Sequence, residues 1–243
     1  MEEQAEQKRF AVLIDGDNAQ AALLPQILAE VSVFGLITIK RIYGDWTTTN
    51  MNSWKNELHR HAIQPEQQFR YTKGKNATDS AMIIDAMDLL HSGNVDGFCI
   101  VSSDSDYTRL ATRIREEGLF VIGVGEEKTP EAFTNACNQF IYCENLVEPE
   151  KPKRKRKKKE KSEELDPLPL LLRGFELAAK DEELIHLSAL GLALRQLDPA
   201  FDPRTFGCKQ LHQLIEKYPK TFTLKRDESR TPPVMYVGLV TKK

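Results

Sequence analysis

The sequence predicts an α/β protein, a parallel sheet flanked by helices, followed by a small C-terminal winged helix-turn-helix domain. Three observations carry this. Over the first 148 residues short apolar runs alternate with longer stretches of helical periodicity; a run of Lys and Arg then interrupts the pattern; beyond residue 165 three helical stretches and two alternating strands follow. Short strands without a polar face belong to sheets covered on both sides, as parallel sheets under crossover helices are. The expected division is 1–148 for the sheet domain, 149–164 for a linker and 165–243 for the small domain.

Each element has its own signal. Residues 10–14 are apolar, with Val and Ile among them, and stop at Asp15. Helical spacing over 21–33 precedes a second strand, 36–43, closed by Gly44. A helix over 46–61, with Ser53 as a cap near its start, leads to a third strand at 65–71 and a strongly periodic helix at 78–91. The apolar run Gly97–Val101 breaks at SSDSDY, before a helix over 107–117. A strand at 120–124, a short helix at 130–136 and a strand at 139–142 complete the set. In the small domain, helices are expected over 168–179, 187–197 and 205–217, with strands at 222–225 and 235–240 joined through turn residues 227–233.

Composition excludes several classes. Hydrophobic residues make up 40% and charged residues 29%, the ordinary balance of a globular chain. No apolar stretch approaches the ~20 residues a membrane span needs, and the opening MEEQAEQKRF has no apolar leader segment. Cys99, Cys137, Cys143 and Cys208 show no CxxC pairing, which fits buried thiols in a reducing compartment, so a cytoplasmic protein without membrane attachment is expected. The five histidines are scattered and offer no zinc set. Net charge is −2, but its distribution is uneven. Residues 1–148 carry 13 basic against 22 acidic side chains, residues 149–162 carry 9 against 2, and residues 163–243 carry 12 of each. An acidic front joined to a concentrated basic run points to a polyanionic partner.

Three segments place carboxylates where such a sheet would use them. In VLIDGDN, Asp15 ends the first strand, with Asp17 and Asn18 just beyond; in KGKNATDS, Asp79 falls in the first turn of a helix; in CIVSSDSDY, Asp104 and Asp106 follow the fourth strand. Ligands of open parallel sheets bind outside the carboxyl ends of the strands. Clustered carboxylates repel one another and need a compensating cation. Oxygen donors without His or Cys suit a hard ion, Mg²⁺ or Mn²⁺, of the kind that serves phosphodiester hydrolysis. Each segment alone also reads as a helix cap, and Asp106, just before the helix at 107, is placed to be one. Asp85 partly faces the site, and Asp88 faces solvent. Lys73 and Lys75 flank Gly74 and suit either phosphate contact or a solvated loop; Thr78, Ser102 and Ser103 suit capping or hydrogen bonds to a carboxylate; Tyr43, Trp46 and Tyr71 suit base stacking or the core.

The order of strand-Asp-x-x-Asn, a Lys-containing loop before a helix Asp, and strand-Ser-x-Asp-x-Asp-aromatic resembles the NYN family, the LabA-like branch of the PIN-like nucleases, over about residues 8–146. The resemblance implies a PIN-like fold and a metal-dependent ribonuclease. Asp15, Asp79 and Asp104 would be the principal acids, Asp106 a further one, all four binding metal, and Asn18 would position the first strand-end loop or a water. Tyr107 stands where Phe is frequent and Ser103 where Gly is frequent; neither departure removes a carboxylate. The resemblance also admits a homodimer, and some members of this broad class bind RNA without cutting it, as adaptors in RNA regulation. The DxD in VLIDGDN superficially fits a haloacid dehalogenase phosphatase, but Ala19 occupies a position where that motif usually has Thr or Val.

From about residue 168 to 239, HLSALGLALRQLDPAFDPRTFGCKQL and PPVMYVGL resemble the LOTUS or OST-HTH family, which implies RNA binding or a protein partner. Phe201, Phe206, Leu211 and Leu214 are expected in its core, and Arg204, Lys209, His212, Lys225, Arg226 and Arg230 are candidate RNA contacts. Lys155, Arg156 and Lys157 represent the basic run, whose attraction to phosphate would be salt-sensitive and indifferent to sequence. A solvated linker and a nuclear localisation signal are the other readings of that run.

Overall fold

The computed structural model describes residues 7–69, 77–147, 166–180, 182–229 and 233–240. The chain divides into two compact units, Met1–Val147 and Glu148–Lys243.

The first unit contains β1 (Arg9–Asp15), α1 (Leu24–Ser32), β2 (Leu36–Gly44), α2 (Lys55–His61), β3 (Gln64–Gln67), α3 (Ala77–Ser92), β4 (Gly97–Val101), α4 (Thr108–Glu116), β5 (Phe120–Gly125), α5 (Glu131–Ala136) and β6 (Gln139–Tyr142). Its strands are all parallel, in the order β3-β2-β1-β4-β5-β6. The chain steps outward from β1 to β3, returns to lay β4 beside β1, and then steps outward the other way. The loops after β1 and β4 therefore leave in opposite directions and open a crevice at their carboxyl ends.

Strand alternation decides what faces that crevice. Phe10, Val12 and Ile14 pack with Leu24, Ile27 and Val31 of the α1 layer. Successive side chains point to opposite faces, so Leu13 and Asp15 turn toward the α3 layer, where α3 packs on β1 and β2 and α4 packs on both α3 and α5. On α3, Met82, Ala86 and Leu90 are buried at helical spacing, and Asp79 lies one turn before them on the same stripe. Asp85 receives hydrogen bonds from Arg41 and Tyr43 of β2, tying helix to strand.

Three expected helices start differently. The patterns at 21–33, 46–61 and 107–117 open with 3₁₀ turns at Ala21–Leu23, Thr49–Trp54 and Ser105–Tyr107 before the α-helix begins. Ser53 caps nothing: its hydroxyl donates to the Asn50 carbonyl at 3.3 Å, and α2 begins without a side-chain cap.

The second unit contains α6 (Leu168–Ala179), β7 (Leu184–His186), α7 (Leu187–Leu197), a 3₁₀ turn (Pro203–Phe206), α8 (Leu211–Glu216), β8 (Phe222–Asp227) and β9 (Val234–Leu239). The three strands form an antiparallel sheet in the order β7-β9-β8. Phe201 and Leu214 lie in its core with Leu171, Leu190 and Val237, and Phe206 and Leu211 pack partly buried against it. The stretch expected as one helix at 205–217 is divided by Gly207, whose φ of 70° ends the 3₁₀ turn in the left-handed region.

At the end of β5, a Cβ on Gly125 would lie 2.7 Å from both the Ser102 carbonyl oxygen and Thr129 Oγ1. Gly125→Ala is expected to lower stability by about 1–3 kcal/mol through overpacking. Urea unfolding followed by tryptophan fluorescence checks this, because Trp46 and Trp54 both belong to the first unit; an unchanged midpoint would show that the neck has room.

Candidate active site

Asp15 is fully buried at the crevice. Its Oδ2 accepts hydrogen bonds from Asn18 Nδ2 at 2.7 Å and Ser102 Oγ at 3.0 Å, and its Oδ1 accepts from the Asp17 amide at 3.2 Å. Burial outweighs these donors and, with the nearby Asp17 charge adding to it, raises the Asp15 carboxyl above its ordinary pKa. Asp17 in turn accepts from Thr78 Oγ1 at 3.2 Å, linking the loop after β1 to the start of α3.

Ser102 also accepts from the Asp104 amide at 3.1 Å. Asp104 Oδ1 accepts from the Asp106 amide at 2.9 Å and thereby caps the 3₁₀ turn that leads into α4. The capping expected of Asp106 thus falls to Asp104, and the Asp106 side chain is exposed. Tyr107, buried at the end of the turn, donates its hydroxyl to Asp79 Oδ1 at 2.8 Å. Burial raises the Asp79 pKa most, and the charges of Asp15, Asp104 and Asp106 raise it further.

One carboxylate oxygen from each of Asp79, Asp104 and Asp106 lies within 4.8 Å of the others. Asp15 stands close enough to press its charge on Asp79 but is not one of the three converging groups. Three carboxylate oxygens without a nitrogen or sulfur donor, gathered this closely, fit a hard divalent cation.

The other candidates are dispersed. Ser103 Oγ accepts from the Glu126 amide at 2.8 Å. Tyr43 is core and Trp46 is partly buried against it, with its indole N–H on the Glu66 carbonyl at 3.2 Å. Asp88 is exposed, and Asp85 is engaged by β2. In the second unit Arg204 is clamped onto Asp202, with Nη2 on Oδ2 at 2.7 Å; Lys209 and Lys225 are exposed, His212 is half-buried, and Arg226 pairs with Glu228 at 3.8 Å. Tyr71, Lys73, Lys75, Lys155, Arg156, Lys157 and Arg230 lie outside the described residues. Sequence reasoning placed Asp17 in the first acidic segment but did not foresee its bond to Thr78, nor any role for the Tyr107 hydroxyl. Both bonds cross between elements distant in sequence, so no local spacing announces them.

A family model described as NYN domain matches residues 9–146, and one described as OST-HTH/LOTUS domain matches residues 161–234. No curated protein matches the chain. Among solved structures, a protein of unknown function from Vibrio parahaemolyticus is 15% identical over 58% of this chain and 96% of its own, with a TM-score of 0.49. An uncharacterized protein from Nitrosomonas europaea is 20% identical over 40% of this chain and 91% of its own, with a TM-score of 0.29.

The crowding has a measurable cost. A carboxyl whose folded pKa is raised binds more protons folded than unfolded, so its contribution to stability falls as pH rises through the window between its ordinary and raised values. Asp79→Asn keeps an oxygen for the Tyr107 hydroxyl and removes the charge. In EDTA it is expected to melt higher than wild type at neutral pH, and the gain should shrink below the ordinary Asp range. Melting followed by tryptophan fluorescence tests this; a variant less stable than wild type at neutral pH would refute the repulsion.

Proposed function

The chain belongs to the NYN domain family and carries an OST-HTH/LOTUS domain behind that domain, and from this premise we propose that it is a metal-dependent ribonuclease with an attached RNA-recognition module. The observation that carries the proposal is the convergence of Asp79, Asp104 and Asp106 beside buried Asp15, at the switch point of the parallel sheet. The resemblance to PIN-like nucleases implies action on RNA phosphodiesters, and the donor chemistry suits the divalent cation that such hydrolysis uses.

In this reading Asp79, Asp104 and Asp106 hold Mg²⁺ or Mn²⁺. When bound, the ion supplies positive charge to phosphate oxygens and lowers the pKa of a coordinated water. Tyr107 fixes which way the Asp79 carboxyl turns. Asp104, held through its own amide by Ser102, keeps its side chain at the mouth of the turn. Asp15 supplies a buried negative charge behind the cluster that favours cation entry, and Asn18 orients it while fixing the strand-end loop. Lys73 and Lys75 are assigned to the phosphate backbone, as are Lys155, Arg156 and Lys157 of the basic run. In the second unit Lys209, Lys225 and Arg226 remain candidate RNA contacts, whereas Arg204 serves Asp202 first.

No helix among the described residues is long and apolar enough to cross a membrane. All four cysteines are free, which supports the reading of a cytoplasmic protein.

Purified protein incubated with an end-labelled RNA pool should cleave it with Mg²⁺ or Mn²⁺ and not with EDTA. Asp104→Asn should lower the rate at least about a hundred-fold and Asp15→Asn about 10–100-fold, the usual cost of losing a group that supports metal ligands from behind. RNA retained without cleavage under every condition would overturn the enzymatic reading in favour of an RNA-binding adaptor. Replacing the basic residues between 151 and 161 should weaken RNA binding and flatten its salt dependence. An unchanged slope in a filter-binding titration would remove the run from the interface.

A further inference from the structure

We propose that the outer face of the small unit's three-stranded sheet is a stacking platform for unpaired RNA bases, with His186 and Tyr236 as its ring pair and Lys225 as the adjoining phosphate contact. The proposal rests on the reading that this unit contacts RNA, and it supplies a place for that contact.

The register puts His186 of β7 opposite Tyr236 of β9, and Tyr236 opposite Lys225 of β8. Directly opposed residues in an antiparallel sheet share a face, so the three form one row across the sheet. The neighbouring row, Ile185, Val237 and Leu224, points the other way: Ile185 and Val237 are buried in the core and Leu224 packs against it. The row of His186, Tyr236 and Lys225 therefore faces away from the core. His186 and Lys225 are exposed and Tyr236 is partly so.

The two rings lie with centroids 4.6 Å apart and planes inclined by 38°. Each covers part of the other, and together they present a wider aromatic surface than either alone. Every base has a π-face, so such a surface accepts bases with little regard to sequence, and an adjacent cation suits the phosphate between them. The occupant must be unpaired, because a duplex hides its base faces in its own stack. The carboxylate of Asp227, two residues beyond Lys225 on the same strand, is engaged within the hairpin turn by the Ser229 amide at 3.0 Å and Ser229 Oγ at 2.6 Å. The nine basic residues between 151 and 161 add an attraction for a polyanion that the balanced charge of residues 163–243 lacks.

The test uses the full chain carrying Asp104→Asn, in EDTA, so that binding is read without cleavage. Affinity for a fluorescent oligouridine should fall roughly ten-fold with Tyr236→Ala and comparably with His186→Ala. Tyr236→Phe, which keeps the ring, should bind within about two-fold of the parent. Thermal melts of all three establish folding, and a second readout does not depend on it: ultraviolet crosslinking of a 4-thiouridine oligonucleotide to the unsubstituted sheet, with adducts mapped by mass spectrometry. Adducts on β7 or β9 together with the alanine losses support the platform. Equal binding by folded alanine variants, or adducts confined to other segments, would overturn it and leave RNA binding elsewhere in the chain intact. Failure of the parent to bind any unpaired RNA would overturn the platform too, and the metal-dependent cleavage assay separately decides the nuclease reading.

Discussion

At the end of β1 a carboxylate is held out of water, and the hydrogen bonds that make this tolerable also place the neighbouring acids. A fully buried, ionised side chain costs several kcal/mol unless donors replace its water. Asp15 recruits them from two strand ends: Asn18 and the Asp17 amide from the loop after β1, and Ser102 from the end of β4. Ser102 passes the constraint on by accepting the Asp104 amide, and Asp104 caps the turn whose last residue, Tyr107, holds Asp79. A single set of bonds thus runs from β1 through the turn before α4 to the start of α3. The positions of all four acids follow from it.

Sheet topology decides that these groups meet at all. With β1 and β4 adjacent and their onward connections diverging, the two loops part where Asp15 and Asp104 lie. Alternation then sends Asp15 toward α3, while Phe10, Val12 and Ile14 turn into the opposite layer. Had the register of β1 slipped by one residue, the carboxylate would point among Ile27 and Val31, where no donor compensates its burial. The acids converge as a consequence of a correctly paired sheet, and the raised pKa of Asp79 records first its burial there and then the charges of Asp15, Asp104 and Asp106.

Much of this was legible in the sequence because it is periodic. Apolar runs marked β1, β4 and β5, since central parallel strands are buried on both faces; the edge strand β3 is polar and carries no such run, and it spans Gln64–Gln67 rather than the expected 65–71. The acids at strand ends were visible because each interrupts such a run abruptly. Irregular structure was not legible: 3₁₀ turns at three helix starts share the apolar spacing of an α-helix over one turn, and β7 is only three residues long, with Ile185 alone buried. The exchange of capping from Asp106 to Asp104 turns on backbone angles that neither residue type encodes. Asp85 read as partly facing the site because helical spacing fixes its direction; only the fold shows that Arg41 and Tyr43 occupy that direction first. Likewise Arg204 looked like a free cation until Asp202, two residues away, took its guanidinium.

The charge map gives the basic run a reason. The acidic excess of the first 148 residues opposes the approach of a polyanion, and the cation proposed for the three carboxylates would neutralise that excess only nearby, since salt screens charges beyond roughly 8 Å at physiological ionic strength. Bringing RNA to such a centre needs a second source of attraction that does not occupy the cluster. In the proposed reading the nine basic residues between 151 and 161 provide it, because capture elsewhere on the same chain raises the local concentration of RNA at the site. The rest of the small unit, with twelve charges of each sign between residues 163 and 243, adds little to that long-range pull. Its contribution is better sought in contact chemistry, in rings and hydrogen bonds that act once the strand has arrived.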